Sequence, residues 1–115
     1  MRIVKNFVNG EYVLPENDGK YEVFNPAFGE VIAKVAEAKR EEVDLAVDLA
    51  YDAQKKWMNV PIPDRIKMLF KLETIMWDHL DEISEITTNE HGKTFEESKG
   101  DAIRAIQNVE SAAAA

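Results

Sequence analysis

The sequence predicts an α+β segment: two short β-hairpins within residues 1–36, then three or four amphipathic helices over 41–115. Three observations carry this. Asn9-Gly10 lies between Phe7-Val8 and Glu11-Tyr12-Val13, and Asn-Gly between short β-type runs is a strong hairpin signal. From Glu41 onward the apolar period changes from that of a strand to that of a helix. Finally, Glu90-His91-Gly92-Lys93-Thr94 writes a helix stop and a helix start into one corner. Gly92 suits the left-handed position that closes a helix, since it has no Cβ to clash. Thr94 opens the next helix, and Glu97 three residues on completes a capping box.

At 115 residues the chain is one small domain or part of a larger one. Apolar residues make up 45% and charged residues 31%, a globular composition. The net charge of -8 opposes a phosphate-binding surface, so no nucleic-acid partner is expected. With no cysteine there is no disulfide, no thiolate metal site and no thiol nucleophile in this chain. The start, Met1 to Asn6, lacks the apolar core of a secretory signal, and no run is long enough to span a bilayer. A cytoplasmic protein away from membranes is the expectation.

After the first hairpin, Pro15 to Lys20 reads as a polar loop containing Asp18-Gly19. Tyr21-Glu22-Val23-Phe24 resumes a strand, Asn25-Pro26-Ala27-Phe28-Gly29 turns the chain, and Glu30 to Val35 runs back. Pro26 sets its own φ and holds Asn25 extended. In the first helix Val43, Ala46, Val47, Ala50 and Trp57 share a face, with Tyr51 beside it. Glu41 and Glu42 in the first turn and Lys55 and Lys56 in the last complement its dipole. Pro61 and Pro63 end that segment, and Pro63-Asp64 opens the next.

The second helical region, 63–90, expects Ile66, Leu69, Phe70, Met76, Trp77, Leu80, Ile83 and Ile86 on its buried side. Its length predicts two helices meeting near Asp78–Asp81. The helix opened by Thr94 uses Ala102, Ile103, Ile106, Val109 and Ala113. It runs into Ala112–Ala115 without a breaker, so the chain reads as cut in mid-helix.

Candidate chemistry is sparse. His79 among Asp78, Asp81 and Glu82, and His91 beside Glu90, lack the spacing that converges ligands on one ion, and read as a solvated acidic face. Glu41-Glu42, Asp81-Glu82 and Glu96-Glu97 are neighbours pointing about 100° apart on a helix, so none forms an acid/base pair alone. The glycines at 10, 19, 29, 92 and 100 are isolated and make no phosphate loop. Gly92-Lys93-Thr94 looks like part of one but lacks the preceding strand and the earlier glycine. From residues and spacing alone, the alternative of a non-enzymatic helical interaction module stays open, with burial as its discriminator: apolar faces left uncovered signal a missing partner or missing chain.

The landmarks taken in order are more telling. They are Asn6-Phe7-Val8-Asn9-Gly10-Glu11-Tyr12, Asn25-Pro26 with Gly29-Glu30-Val31-Ile32, Glu42-Val43-Asp44 with Ala46-Val47, Trp57, Arg65 with Leu69, and Glu90-His91-Gly92-Lys93-Thr94. In this order the chain resembles the amino-terminal part of an aldehyde dehydrogenase over nearly its whole length. Lys93-Thr94-Phe95 through Gly100-Asp101 to Val109-Glu110 is most similar to the methylmalonate-semialdehyde dehydrogenase branch.

The resemblance implies an α/β parent fold, in which residues 1–115 form the N-terminal part of a dinucleotide-binding domain, with catalytic and oligomerisation regions absent. It implies an enzyme that oxidises an aldehyde or semialdehyde with NAD or NADP through a cysteine thioester, released to water or to coenzyme A. The parent would be a homo-oligomer, and the partners of this segment the remainder of the chain or other subunits. This segment would be scaffold: no catalytic residue, no cofactor-binding residue, no cofactor of its own and no turnover. One site carries over by resemblance, a monovalent cation held by the backbone oxygen of Phe24 and by Asp101, with a further ligand from beyond residue 115. On that view the corner at Gly92 sets the exit of the last helix so that Asp101 comes near the Phe24 turn.

Overall fold

A computed structural model describes residues 2–16 and 20–115. The expected Asp18-Gly19 portion of the loop lies outside the described residues. The chain divides into two compact units, Met1–Asn59 and Val60–Ala115.

The first unit contains β1 (Arg2–Val4), β2 (Asn6–Val8), β3 (Glu11–Val13), β4 (Lys20–Asn25), β5 (Glu30–Ala36) and α1 (Arg40–Trp57). Both expected hairpins are present. β2 and β3 pair antiparallel around Asn9-Gly10, whose φ values of 51° and 81° are what this tight turn requires. β4 and β5 pair antiparallel around the Asn25 turn. The Asn25 side chain accepts the Ala27 N–H at 2.9 Å, and its backbone oxygen accepts the Gly29 N–H at 2.8 Å, so a buried asparagine is satisfied by the turn it makes.

β1 is an addition to the expected pattern. It pairs parallel with β5, giving the sheet order β1-β5-β4. Three residues are too few to show alternation, and a parallel partner some thirty residues away leaves no local signal.

α1 begins one residue earlier than expected. Lysine at its N-cap has no side-chain acceptor, so only the reverse half of a capping box forms: the Glu42 carboxylate accepts the Lys39 backbone N–H at 2.7 Å. No α1 residue is buried, and Val43 and Val47 on the expected inner face remain half or more exposed.

The second unit is helical: α2 (Ile62–Asp78), α3 (Leu80–His91) and α4 (Phe95–Ala114), with α4 packing on both others. The break expected near Asp78–Asp81 falls at His79, which serves both helices. Its N–H donates to Ile75 O at 3.1 Å, and its carbonyl accepts from Ile83 at 2.9 Å. The core forms around α4, where Ile106 is fully buried between Ala102 and Ala113. Ile103 and Val109 flank it, half-buried.

One expectation needs correcting. Phe70, Trp77 and Ile86 are not buried; each remains 40% or more exposed. α2 carries half-buried Ile66, Leu69 and Met76 on one face, while Met68, Leu72, Ile75, Phe70 and Trp77 flank that face on both sides. Its apolar arc therefore covers more than half the circumference, wider than the stripe one neighbouring helix can cover.

Candidate functional site

The two residues expected to hold a cation lie in separate units. Phe24 sits on β4 beside a β-bulge. Val23 pairs with Ala33 and Phe24 with Val31, so Ile32 of β5 has no opposite residue. A bulge twists the strand locally and re-aims the groups that follow. Here it stands directly before the Asn25 turn.

Asp101 lies in the second turn of α4, with its surroundings set by the corner before it. Gly92 closes α3 at φ 77°, and its N–H donates to Thr88 O at 2.9 Å. Thr94 caps α4: the Glu97 N–H donates to Thr94 Oγ1 at 3.3 Å, and the Thr94 N–H donates to the Glu97 carboxylate at 3.3 Å. The capping box expected from sequence is thus formed. Lys93, between stop and start, sends its ammonium to Asp101 Oδ2 at 2.5 Å, while Arg104, one turn on, donates to Oδ1. The Lys93 hydrogen bond first, and the Arg104 bond second, hold the Asp101 carboxyl below its ordinary value of 3.8. Both its oxygens are engaged by cationic side chains. The Lys93 contact spans the corner and is invisible to helix periodicity, which compares residues three or four apart.

Five of the remaining candidates have structural partners. His79 Nδ1 and Glu82 Oε2 lie 2.8 Å apart, and Asp81 pairs with Lys99 at 3.0 Å. Glu42 accepts the N–H groups of Lys39 and Glu16, and these two bonds, that of Lys39 first, hold its carboxyl below the usual range. Glu97 belongs to the cap of α4. Among the described residues no group of three metal-ligating side chains converges, and no helix is long and apolar enough to cross a membrane. These hydrogen bonds and ion pairs can brace helices.

Two small sheets and one helix in the first unit, and three helices in the second, make an α+β segment that matches the aldehyde dehydrogenase fold. The aldehyde dehydrogenase family matches residues 12–115, and the chain belongs to that family. It is similar to malonate-semialdehyde dehydrogenase 2 of Oceanobacillus iheyensis, at 40% identity over 97% of this chain and 23% of that one. The Listeria innocua malonate-semialdehyde dehydrogenase is 39% identical over all of this chain and 24% of its own length. Among solved structures, a Sinorhizobium meliloti protein assigned as methylmalonate-semialdehyde dehydrogenase and complexed with NAD superposes with a TM-score of 0.93. That match is 32% identical and covers 98% of this chain and 23% of the other. The methylmalonate-semialdehyde dehydrogenase of Oceanimonas doudoroffii gives 0.92 at 34% identity, over 98% of this chain and 23% of its own. The chain therefore spans about a quarter of the length of the relatives it matches.

Proposed function

We propose that this chain is the N-terminal portion of an NAD(P)-dependent aldehyde dehydrogenase acting on a malonate- or methylmalonate-type semialdehyde. The observation that carries this is similarity of about 40% to malonate-semialdehyde dehydrogenases along essentially the whole chain. In the complete enzyme a cysteine thiolate attacks the aldehyde carbonyl, hydride leaves for the nicotinamide, and the thioester passes to water or to coenzyme A. This chain supplies no cysteine and no clustered glycines for a phosphate turn, so no step runs through its residues. Its part is scaffold within the dinucleotide-binding domain of an oligomeric cytoplasmic enzyme, and by itself it turns over no substrate.

A monovalent cation between the Phe24 backbone oxygen and Asp101 belongs to the same proposal. Because Lys93 and Arg104 occupy both carboxylate oxygens, Asp101 would give up one of them to take the ion.

The test is the native protein. Its intact mass should be about four times that of this chain. It should reduce NAD or NADP with malonate or methylmalonate semialdehyde, and omission of coenzyme A separates acyl transfer from hydrolysis. A native mass equal to that of this chain, or micromolar dinucleotide binding by this chain alone, would overturn the reading.

A further inference from the structure

Asn9 and Gly10 form the exposed two-residue turn between β2 and β3. Among the described residues no hydrogen bond engages the Asn9 side chain or the Gly10 N–H. A Cβ added at Gly10 would meet nothing within 4 Å, so the amide is open to solvent from that side. The hairpin rests on three residue pairs, Asn6 with Val13, Phe7 with Tyr12 and Val8 with Glu11. A two-stranded hairpin of this size opens locally at little cost.

Each other asparagine among the described residues lacks one of these conditions. Asn25 is buried, its side chain holds the Ala27 N–H, and Pro26 after it has no N–H. Asn59 donates to Lys55 O at 2.9 Å and precedes β-branched Val60. Asn89 and Asn108 lie inside α3 and α4, where the next N–H belongs to the helix ladder. Asn6 precedes bulky Phe7 within β2.

We propose that Asn9-Gly10 is a site of spontaneous covalent modification, at which Asn9 becomes aspartate or isoaspartate through a cyclic imide, with water as co-reactant. The Gly10 amide gives its proton to hydroxide, and its nitrogen attacks Asn9 Cγ. The N–Cγ bond forms, the Cγ–Nδ2 bond breaks, and Nδ2 leaves as ammonia with a proton from water. Water then opens the ring, at Cγ to give aspartate or at the Asn9 backbone carbonyl carbon to give isoaspartate. Nothing is oxidised or reduced: amide and water become carboxylate and ammonium. Glycine makes the position reactive, because a nitrogen beside a Cα without Cβ approaches unhindered.

The two products differ in what they do to the hairpin. Asp-Gly still suits the tight turn. Isoaspartate routes the backbone through Cβ and Cγ and adds one carbon to a two-residue loop. That pulls apart Phe7 and Tyr12, whose rings stand 5.0 Å apart across the strands.

The test incubates the whole 115-residue chain, folded by circular dichroism, from neutral to mildly alkaline pH, and maps its peptides by mass spectrometry. Asn9 should convert about ten-fold or more faster than Asn6, Asn25, Asn59, Asn89 or Asn108, at a rate that rises with pH. The isoaspartate form, separated by chromatography, should lose the Phe7–Tyr12 contacts seen by NMR. The aspartate form and Asn9→Gly, which leaves a Gly-Gly turn, should keep them. Conversion at Asn9 no faster than at helical Asn89 and Asn108 would mean that the turn protects the amide and would overturn the proposal. An isoaspartate form with the Phe7–Tyr12 contacts intact would overturn its structural consequence.

Discussion

Thr88 Oγ1 donates to Ser98 Oγ at 2.9 Å, joining α3 to α4 ten residues apart across the Gly92 corner. Ser98 has no solvent exposure, and Ser84, one turn before Thr88, is fully buried with its hydroxyl on Leu80 O at 2.6 Å. Small hydroxyl side chains therefore let the two helices approach closely, and each hydroxyl is satisfied. Thr88→Val keeps the shape but removes Ser98's donor. Urea unfolding should show a loss of about 1–2 kcal/mol, with the double variant Thr88→Val, Ser98→Ala recovering part of it.

The Thr94 cap should be separately measurable. Thr94→Ala removes the acceptor for the Glu97 N–H and should cost about 1 kcal/mol in the same assay. Glu97→Ala should cost less, and the two effects should be non-additive, since the residues serve each other. Full additivity would contradict a working box.

Gly92 holds φ at 77°, where a Cβ is strained. Gly92→Ala should destabilise by about 1–2 kcal/mol, and Gly92→Asn by less, because asparagine tolerates the left-handed region. Equal costs for the two would mean that the corner relaxes to another conformation.

Ile106 is the one large side chain fully buried among the described residues. Ile106→Ala should cost about 2–5 kcal/mol, more than the same change at half-exposed Ile75. Comparable losses would contradict a core centred on α4.

Asp101 gives a pH signature. Lys93 and Arg104 lower its folded pKa below 3.8, so their contribution is present above that value and fades as pH falls through the folded pKa. Asp101→Asn should lower the midpoint of thermal unfolding at neutral pH, and the gap should close in acid. Added salt should narrow it too, because the pairs are partly exposed. A gap unchanged from neutral to acidic pH would sink the assignment.

Much of this chain was legible in advance for a local reason. The Asn9-Gly10 turn, the Asn25 turn, the Thr94–Glu97 cap and the Gly92 stop depend on side chains meeting backbone a few residues away, and spacing records such bonds. The break at His79 followed from helix length. The family was legible because Asn6-Phe7-Val8-Asn9-Gly10, Asn25-Pro26 and Glu90-His91-Gly92-Lys93-Thr94 keep their order along the chain.

What the sequence alone determined was thus the elements from β2 onward, most of their ends and the family. Only tertiary structure decided the parallel pairing of β1 with β5, the Lys93 contact that occupies Asp101, and which apolar residues the core covers. α2 is apolar over more than half its circumference, yet Ile66, Leu69 and Met76 are half-buried while Phe70 and Trp77 stay half-exposed. Periodicity reports that a face is apolar. Whether a partner covers it depends on contacts distant in sequence, and the spacing within one helix does not record them.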